Sequence, residues 1–106
     1  MAVTGKLVGS FTGTGATEDW FAANATPSAS KLFNISLWGT FVATVKVQRS
    51  FDDGSTWVDC SRDSAGTTAS YTAPASLLVE EPEAGVLYRL NCSAYTSGTI
   101  NYRISQ

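Results

Sequence analysis

In the stretch from Phe41 to Gln48, side chains alternate with a period of two: Phe41, Ala43, Val45 and Val47 fall on one face, and Val42, Thr44, Lys46 and Gln48 on the other. A strand points successive side chains to opposite faces, so this period spells out a strand with one buried side. The pattern recurs in Phe33, Ile35 and Leu37, in Val86, Tyr88, Leu90 and Cys92, and in Ile100, Tyr102 and Ile104. No segment carries a convincing helical period. Such a chain must bury its apolar faces by packing sheet against sheet.

Turn chemistry divides the strands. Trp38-Gly39-Thr40 joins the first two of them, and together they read as one long hairpin with a buried side. Asp52-Asp53-Gly54-Ser55 is a turn signal that reverses the chain into Thr56-Trp57-Val58-Asp59-Cys60. Ser61 to Ser70 reads as a loop holding a short strand, Ser76 to Val79 as a short apolar strand, and Ser97-Gly98 as the turn before the last strand. Trp20-Phe21 is a short strand or anchor, and Asn24 to Ser30 a loop. Val3 to Phe11 can hold a strand weakened by glycine, and residues 1–15 read as an extended N-terminal arm that orders on a partner. The expectation is one all-β domain over residues 1–106, a single antiparallel β-sandwich of about eight strands, with a jelly-roll as one of the topologies that the alternation leaves open. Immunoglobulin-like and barrel topologies satisfy the same alternation.

Composition narrows the function classes. Only 15% of residues are charged, against about 25% in an average soluble domain. Seven Lys and Arg face nine Asp and Glu, and the cations stand singly, so nucleic acid is not an expected partner. No run is long enough for a membrane helix, and the start lacks the apolar core of a signal peptide, so no membrane role is expected and synthesis in the cytoplasm is. Cys60 and Cys92 are then expected as thiols, with a bridge between them as the alternative. The chain has no His, which removes Ser-His-Asp and Cys-His chemistry in their usual forms and weakens any zinc site. The carboxylate pairs Glu18-Asp19, Asp52-Asp53 and Glu80-Glu81 fall in expected turns. Asp52 and Asp53 offer too few oxygens for a calcium site. Asn24-Ala25-Thr26, Asn34-Ile35-Ser36 and Asn91-Cys92-Ser93 fit the glycosylation pattern by coincidence in a Ser/Thr-rich chain. The expectation is no catalytic residue, no cofactor and no metal.

The sharpest local motif is Ser50-Phe51-Asp52-Asp53-Gly54-Ser55-Thr56-Trp57. It matches the Asp-box pattern S-x-D-x-G-x-T-W, which is similar to hairpins of sialidases and other β-propellers. One copy in so short a chain cannot make a propeller. The physical content is structural: Ser50, Asp52, Gly54, Thr56 and Trp57 form a hairpin tip in which the Asp accepts backbone N–H bonds, the Gly takes positive φ, and the Trp packs beneath. Trp57 and Phe33 read as core. Trp20 and Trp38 read as candidates for a partner surface. Glu80-Glu81-Pro82-Glu83 reads as a solvated turn, and Glu80, Glu81 and Glu83 as carboxylates that could dock on a basic patch.

Leu37 to Gln106 carries a wider likeness. Trp38-Gly39-Thr40-Phe41-Val42-Ala43-Thr44-Val45 leads into Gln48-Arg49 and the Asp box. Glu80-Glu81-Pro82-Glu83-Ala84-Gly85-Val86-Leu87-Tyr88-Arg89-Leu90 and Tyr95-Thr96-Ser97-Gly98-Thr99-Ile100-Asn101-Tyr102-Arg103 follow. This resembles small structural proteins of tailed bacteriophages and prophages. The resemblance implies a virion component of the capsid decoration, or cement, type with a β-sandwich or jelly-roll fold. It implies a dimer or trimer bound outside the major capsid protein shell, stabilising the capsid at the virion surface. A phage tail tube, tip or fibre component, and a carbohydrate-binding or immunoglobulin-like adhesion module, are the alternatives.

Overall fold

The computed structural model describes residues 1–25 and 31–106. Most of the loop expected over Asn24 to Ser30, and Thr26 of the glycosylation pattern at Asn24, lie outside the described residues. The strands are β1 (Ala2–Val3), β2 (Lys6–Phe11), β3 (Gly15–Ala16), β4 (Trp20–Ala22), β5 (Leu32–Trp38), β6 (Phe41–Ser50), β7 (Val58–Asp59), β8 (Ser70–Tyr71), β9 (Ala75–Glu80), β10 (Leu87–Gly98) and β11 (Ile100–Ser105). They form two sheets, which is the expected all-β sandwich. One has the order β2-β11-β5-β9. The other has the order β1-β4-β10-β6-β7, with β3 also on β10 and β8 also on β6.

The pairing is nested. If the two-residue β1 is set aside, and β3 with β4, and β7 with β8, are each taken as one interrupted strand, eight strands remain among the described residues. The first pairs with the eighth (β2 with β11), the second with the seventh (β4 with β10), the third with the sixth (β5 with β9), and the fourth with the fifth (β6 with β7 and β8). All of these pairs are antiparallel. The chain is therefore one long hairpin rolled up on itself.

Two expectations are corrected. β5 and β6 do not form a hairpin, because β5 belongs to the four-stranded sheet and β6 to the other. Alternation reports which face of a strand is buried, and in a sandwich both sheets bury a face. Nor are residues 1–15 an arm. β1 lies parallel to β4, and β2 pairs along its whole length with β11, because Leu7 and Phe11 drop into the core.

What replaces the hairpin is a corner. β5 pairs with β11 in one sheet and β6 with β10 in the other, so the chain crosses between sheets twice, side by side. The crossings touch at Gly39 and Gly98, both with positive φ (+121° and +93°). A Cβ on Gly39 would meet the Thr99 carbonyl oxygen, and one on Gly98 would meet the Thr40 carbonyl oxygen and Phe41 Cα. Thr99 N–H donates to the Thr40 carbonyl across the crossing (3.1 Å). Register shifts between Cys92 and Ala94 and between Tyr95 and Ser97 add local twist as β10 approaches the bend.

Between the sheets lies the core. Phe33 stacks obliquely on Phe21 (ring centroids 5.2 Å) and edge-on to Tyr88 (4.7 Å), joining the two layers. Ile35, Leu37, Val45, Val47, Leu90, Ile100 and Ile104 fill the space around them. Each such side chain contributes roughly 1.5–3 kcal/mol by leaving water. Cys92 is buried among them, and both cysteines are free thiols.

The corner generates a prediction. Gly98→Ala is expected to cost about 2–4 kcal/mol, since it adds strain at positive φ to a clash with backbone. Gly5→Ala also meets positive φ but open space, and should cost about 1 kcal/mol. Urea unfolding of both variants measures the gap, and equal losses would contradict a close-packed corner.

Candidate functional site

The Asp box is built as its residue types dictate. Ser50 is fully buried at the end of β6, and its Oγ donates to Asp52 Oδ1 (2.9 Å) while accepting from Gly54 N–H (2.9 Å). Thr56 N–H donates to Asp52 Oδ1 (2.8 Å). These hydrogen bonds, those from Thr56 foremost, hold the Asp52 carboxyl below its ordinary value. Asp53 and Gly54 both take positive φ to close the tip. Trp57, expected in the core, instead lies on the outer face of the seven-stranded sheet. The Arg89 guanidinium stands 4.4 Å over its ring, and Trp20 meets it edge-on at 5.5 Å. The Trp20 ring also fills the place where a Cβ on Gly54 would sit. Trp20 is thus half-buried under the hairpin tip. A polar row continues from this stack: Arg89 donates to Gln48 (2.8 Å), Gln48 donates to Asp59 (2.9 Å), and Lys46 lies 3.6 Å from Asp59.

The acidic turn divides into two kinds of carboxylate. Glu80 and Glu83 face solvent. Glu81, expected in a solvated turn and as a docking carboxylate, is 1% exposed. Its Oε1 accepts from Arg49 Nε and from Tyr88 Oη (2.9 Å), and its Oε2 accepts from Arg49 Nη2 (2.9 Å) and from Glu83 N–H (3.0 Å). Burial alone would raise the Glu81 pKa, but these four donors outweigh it and hold the carboxyl below its ordinary value. The Tyr88 phenol is pushed up, by burial first and then by Glu81. A bidentate Arg–carboxylate pair with every oxygen satisfied is the form in which a charge can be buried. Arg49 and Tyr88 were overlooked as its partners. The signal was in the sequence: Arg49 falls on the inward set of β6 and so needed a buried counter-charge.

This pair sits at one open side of the sandwich. There a cleft of about 430 Å³ lies between β9 and the β7–β8 edge, lined by Arg49, Cys60, Arg62, Tyr71, Leu77 and Tyr88. Burial pushes the Cys60 thiol up to about 11, so it stays protonated and unreactive at neutral pH. At the other open side a groove of about 370 Å³ runs between β2 and residues 16–19, lined by Glu18, Asp19, Thr17 and Tyr102. Among the described residues no group of three metal-ligating side chains converges. No helix there is long and apolar enough to cross a membrane.

A further candidate is a face. On the outer side of the four-stranded sheet, Val8 (55% exposed) on β2, Trp38 (46%) at the end of β5 and Leu78 (71%) on β9 stand clear of the surface, with Leu32 diagonal to Leu78. Register sets Val8, Arg103, Ser36 and Ser76 in one row across the sheet, and Ser10, Asn101 and Trp38 in the next. Trp38 is exposed as expected, opposite Phe33, Ile35 and Leu37. The face combines apolar side chains with small polar ones and few charges, which suits a protein–protein contact more than a small-molecule site. No protein-family model matches the chain, and comparison with curated proteins and with solved structures finds no match.

The buried pair makes stability pH-dependent. A carboxyl whose folded pKa is depressed stabilises the fold above its unfolded value, here ordinarily 4.5, and that stability is lost as pH falls through the folded value. Wild type is expected to weaken steadily below about pH 5. Glu81→Gln should cost about 3 kcal/mol at neutral pH and flatten the acid limb, whereas Glu80→Gln should stay within about 0.5 kcal/mol. Urea unfolding across pH measures all three, and parallel acid limbs would contradict the clamp.

Proposed function

We propose that this chain is a structural protein of a tailed-bacteriophage virion, made in the host cytoplasm, that binds the outside of the major capsid protein shell and stabilises it. The observation that carries the reading is the outer face of the four-stranded sheet. There Val8, Trp38 and Leu78 stand exposed on β2, β5 and β9 among Ser, Asn and Arg103 side chains, a cost that a stable partner surface would relieve. Two further features support it. The resemblance over Leu37 to Gln106 is to proteins of this kind. The nested pairing of strands supports the jelly-roll form of the sandwich that the resemblance implies, a plan of two Greek keys that virus capsid domains use. Fold alone does not carry function, so the weight rests on the exposed face. The charge clamps described above serve the same end, since they fix loops in place. Trp38, Glu80 and Glu83 remain available at the surface for contact, while Trp20 and Glu81 are engaged within the fold.

The test is the protein content of purified particles. The reading expects this chain in numbers comparable to the major capsid protein. Particles lacking it should rupture at lower temperature, and Trp38→Ala should lower occupancy roughly tenfold, as the loss of one interface anchor does. A handful of copies per particle would favour the tail reading, and absence from particles would end both.

A further inference from the structure

β2 and β9 are the outer strands of the four-stranded sheet, and among the described residues each is paired on one side only. Every pairing in that sheet is antiparallel, so its two outer strands run in opposite directions. A second copy set alongside in the same sense therefore brings its β2 antiparallel to β9 of the first.

Two bonds at the strand ends fix the backbone phase. Gln106 N–H donates to the Gly5 carbonyl (2.9 Å), and Glu81 N–H donates to the Lys31 carbonyl (2.8 Å). Directly opposed residues in an antiparallel pair alternate between bonded and non-bonded. Following the register, Leu7, Gly9 and Phe11 bond to β11, while Lys6, Val8 and Ser10 point their backbone groups outwards. Likewise Leu77 and Val79 bond to β5, while Ser76, Leu78 and Glu80 point theirs outwards. One register satisfies both sets: Lys6 opposite Glu80, Val8 opposite Leu78, and Ser10 opposite Ser76. These three pairs would exchange about six hydrogen bonds. Their side chains share one face as an opposite-charge pair, an apolar pair and a hydroxyl pair, each a favourable cross-strand combination. The same register covers Val8 and Leu78, both exposed large apolar side chains. On the inner side, Leu77 and Val79, half-buried at the mouth of the cleft, come against Gly9 and Leu7. Pairing β9 with itself in phase would set Glu80 against Ser76, and pairing β2 with itself would set Lys6 against Ser10, so only the mixed contact matches charge.

The geometry points to a head-to-tail contact between copies of this chain, in which β9 of one copy extends the sheet of the next through its β2. Such a contact joins different surfaces, so it closes a ring or runs on as a filament. It does not rest on the capsid reading, and its failure would leave that reading standing.

Proline discriminates cleanly, because among the described residues the N–H groups of Val8 and Leu78 have no partner within one copy. In sedimentation at high micromolar concentration, wild type is expected above the monomer mass. Val8→Pro alone and Leu78→Pro alone are expected as monomers with unchanged circular dichroism. Their equimolar mixture is expected to form a one-to-one dimer, since each supplies the edge that the other lacks. Where a proline variant does not fold, Lys6→Glu and Glu80→Lys read the same contact: each alone should associate roughly tenfold more weakly, and mixing them should restore assembly. A monomeric wild type, a Val8→Pro protein that still assembles, or charge variants that mixing does not rescue would overturn the proposal.

Discussion

Two backbone crossings at one corner govern the architecture. Where Gly39 and Gly98 pass, the chain moves from one sheet to the other in both directions at once. No side chain fits there, because the peptide groups of the two crossings are themselves in contact. Everything distal follows from this bend. It hands β5 and β11 to one sheet and β6 and β10 to the other. It thereby leaves β2 and β9 as the margins of the four-stranded sheet and opens the two sides of the sandwich.

The polar chemistry of the molecule works to hold loops in place. The Asp box uses Ser50 and Asp52 to satisfy backbone donors at a hairpin tip, and the tip in turn covers Trp20. The Arg49–Glu81–Tyr88 cluster ties the turn after β9 to the end of β6 and the start of β10, so it links the two sheets at the open side. The short charged turn is thus pinned from within. A rigid block with exposed margins is the physical description that the proposed role requires.

Much of the fold was legible. Period-two alternation located β5, β6, β10 and β11 and named their buried faces correctly, since burial of one face is the signal that such a pattern encodes. The Asp-box tip followed from its residue types. Sheet membership was not legible: Phe33 to Leu37 and Phe41 to Val47 both face inwards, and alternation is blind to which layer they occupy. The N-terminal strand was obscured by Gly5 and Gly9, the latter lying beneath the Tyr102 ring. Trp57 misled because a large aromatic beside a turn reads as core, and here a guanidinium from Arg89 covers it on the outside. Glu81 was hidden among exposed neighbours, and only the inward position of Arg49 pointed to it. Of the surface candidates, Trp38 was found from its position opposite the buried set, whereas Val8 and Leu78 needed the register.

The account rests on free sheet margins whose backbone phase and side chains match one another. Residue-resolved amide hydrogen exchange reads that directly. In the wild-type assembly the amides of Val8, Ser10, Leu78 and Glu80 should exchange slowly, as should those of Leu7, Gly9, Leu77 and Val79. In the monomeric Val8→Pro protein the amides of Ser10, Leu78 and Glu80 should become fast while the second set stays protected. If the outward amides of β2 and β9 exchange equally fast in both proteins, the margins are not joined and the account is contradicted.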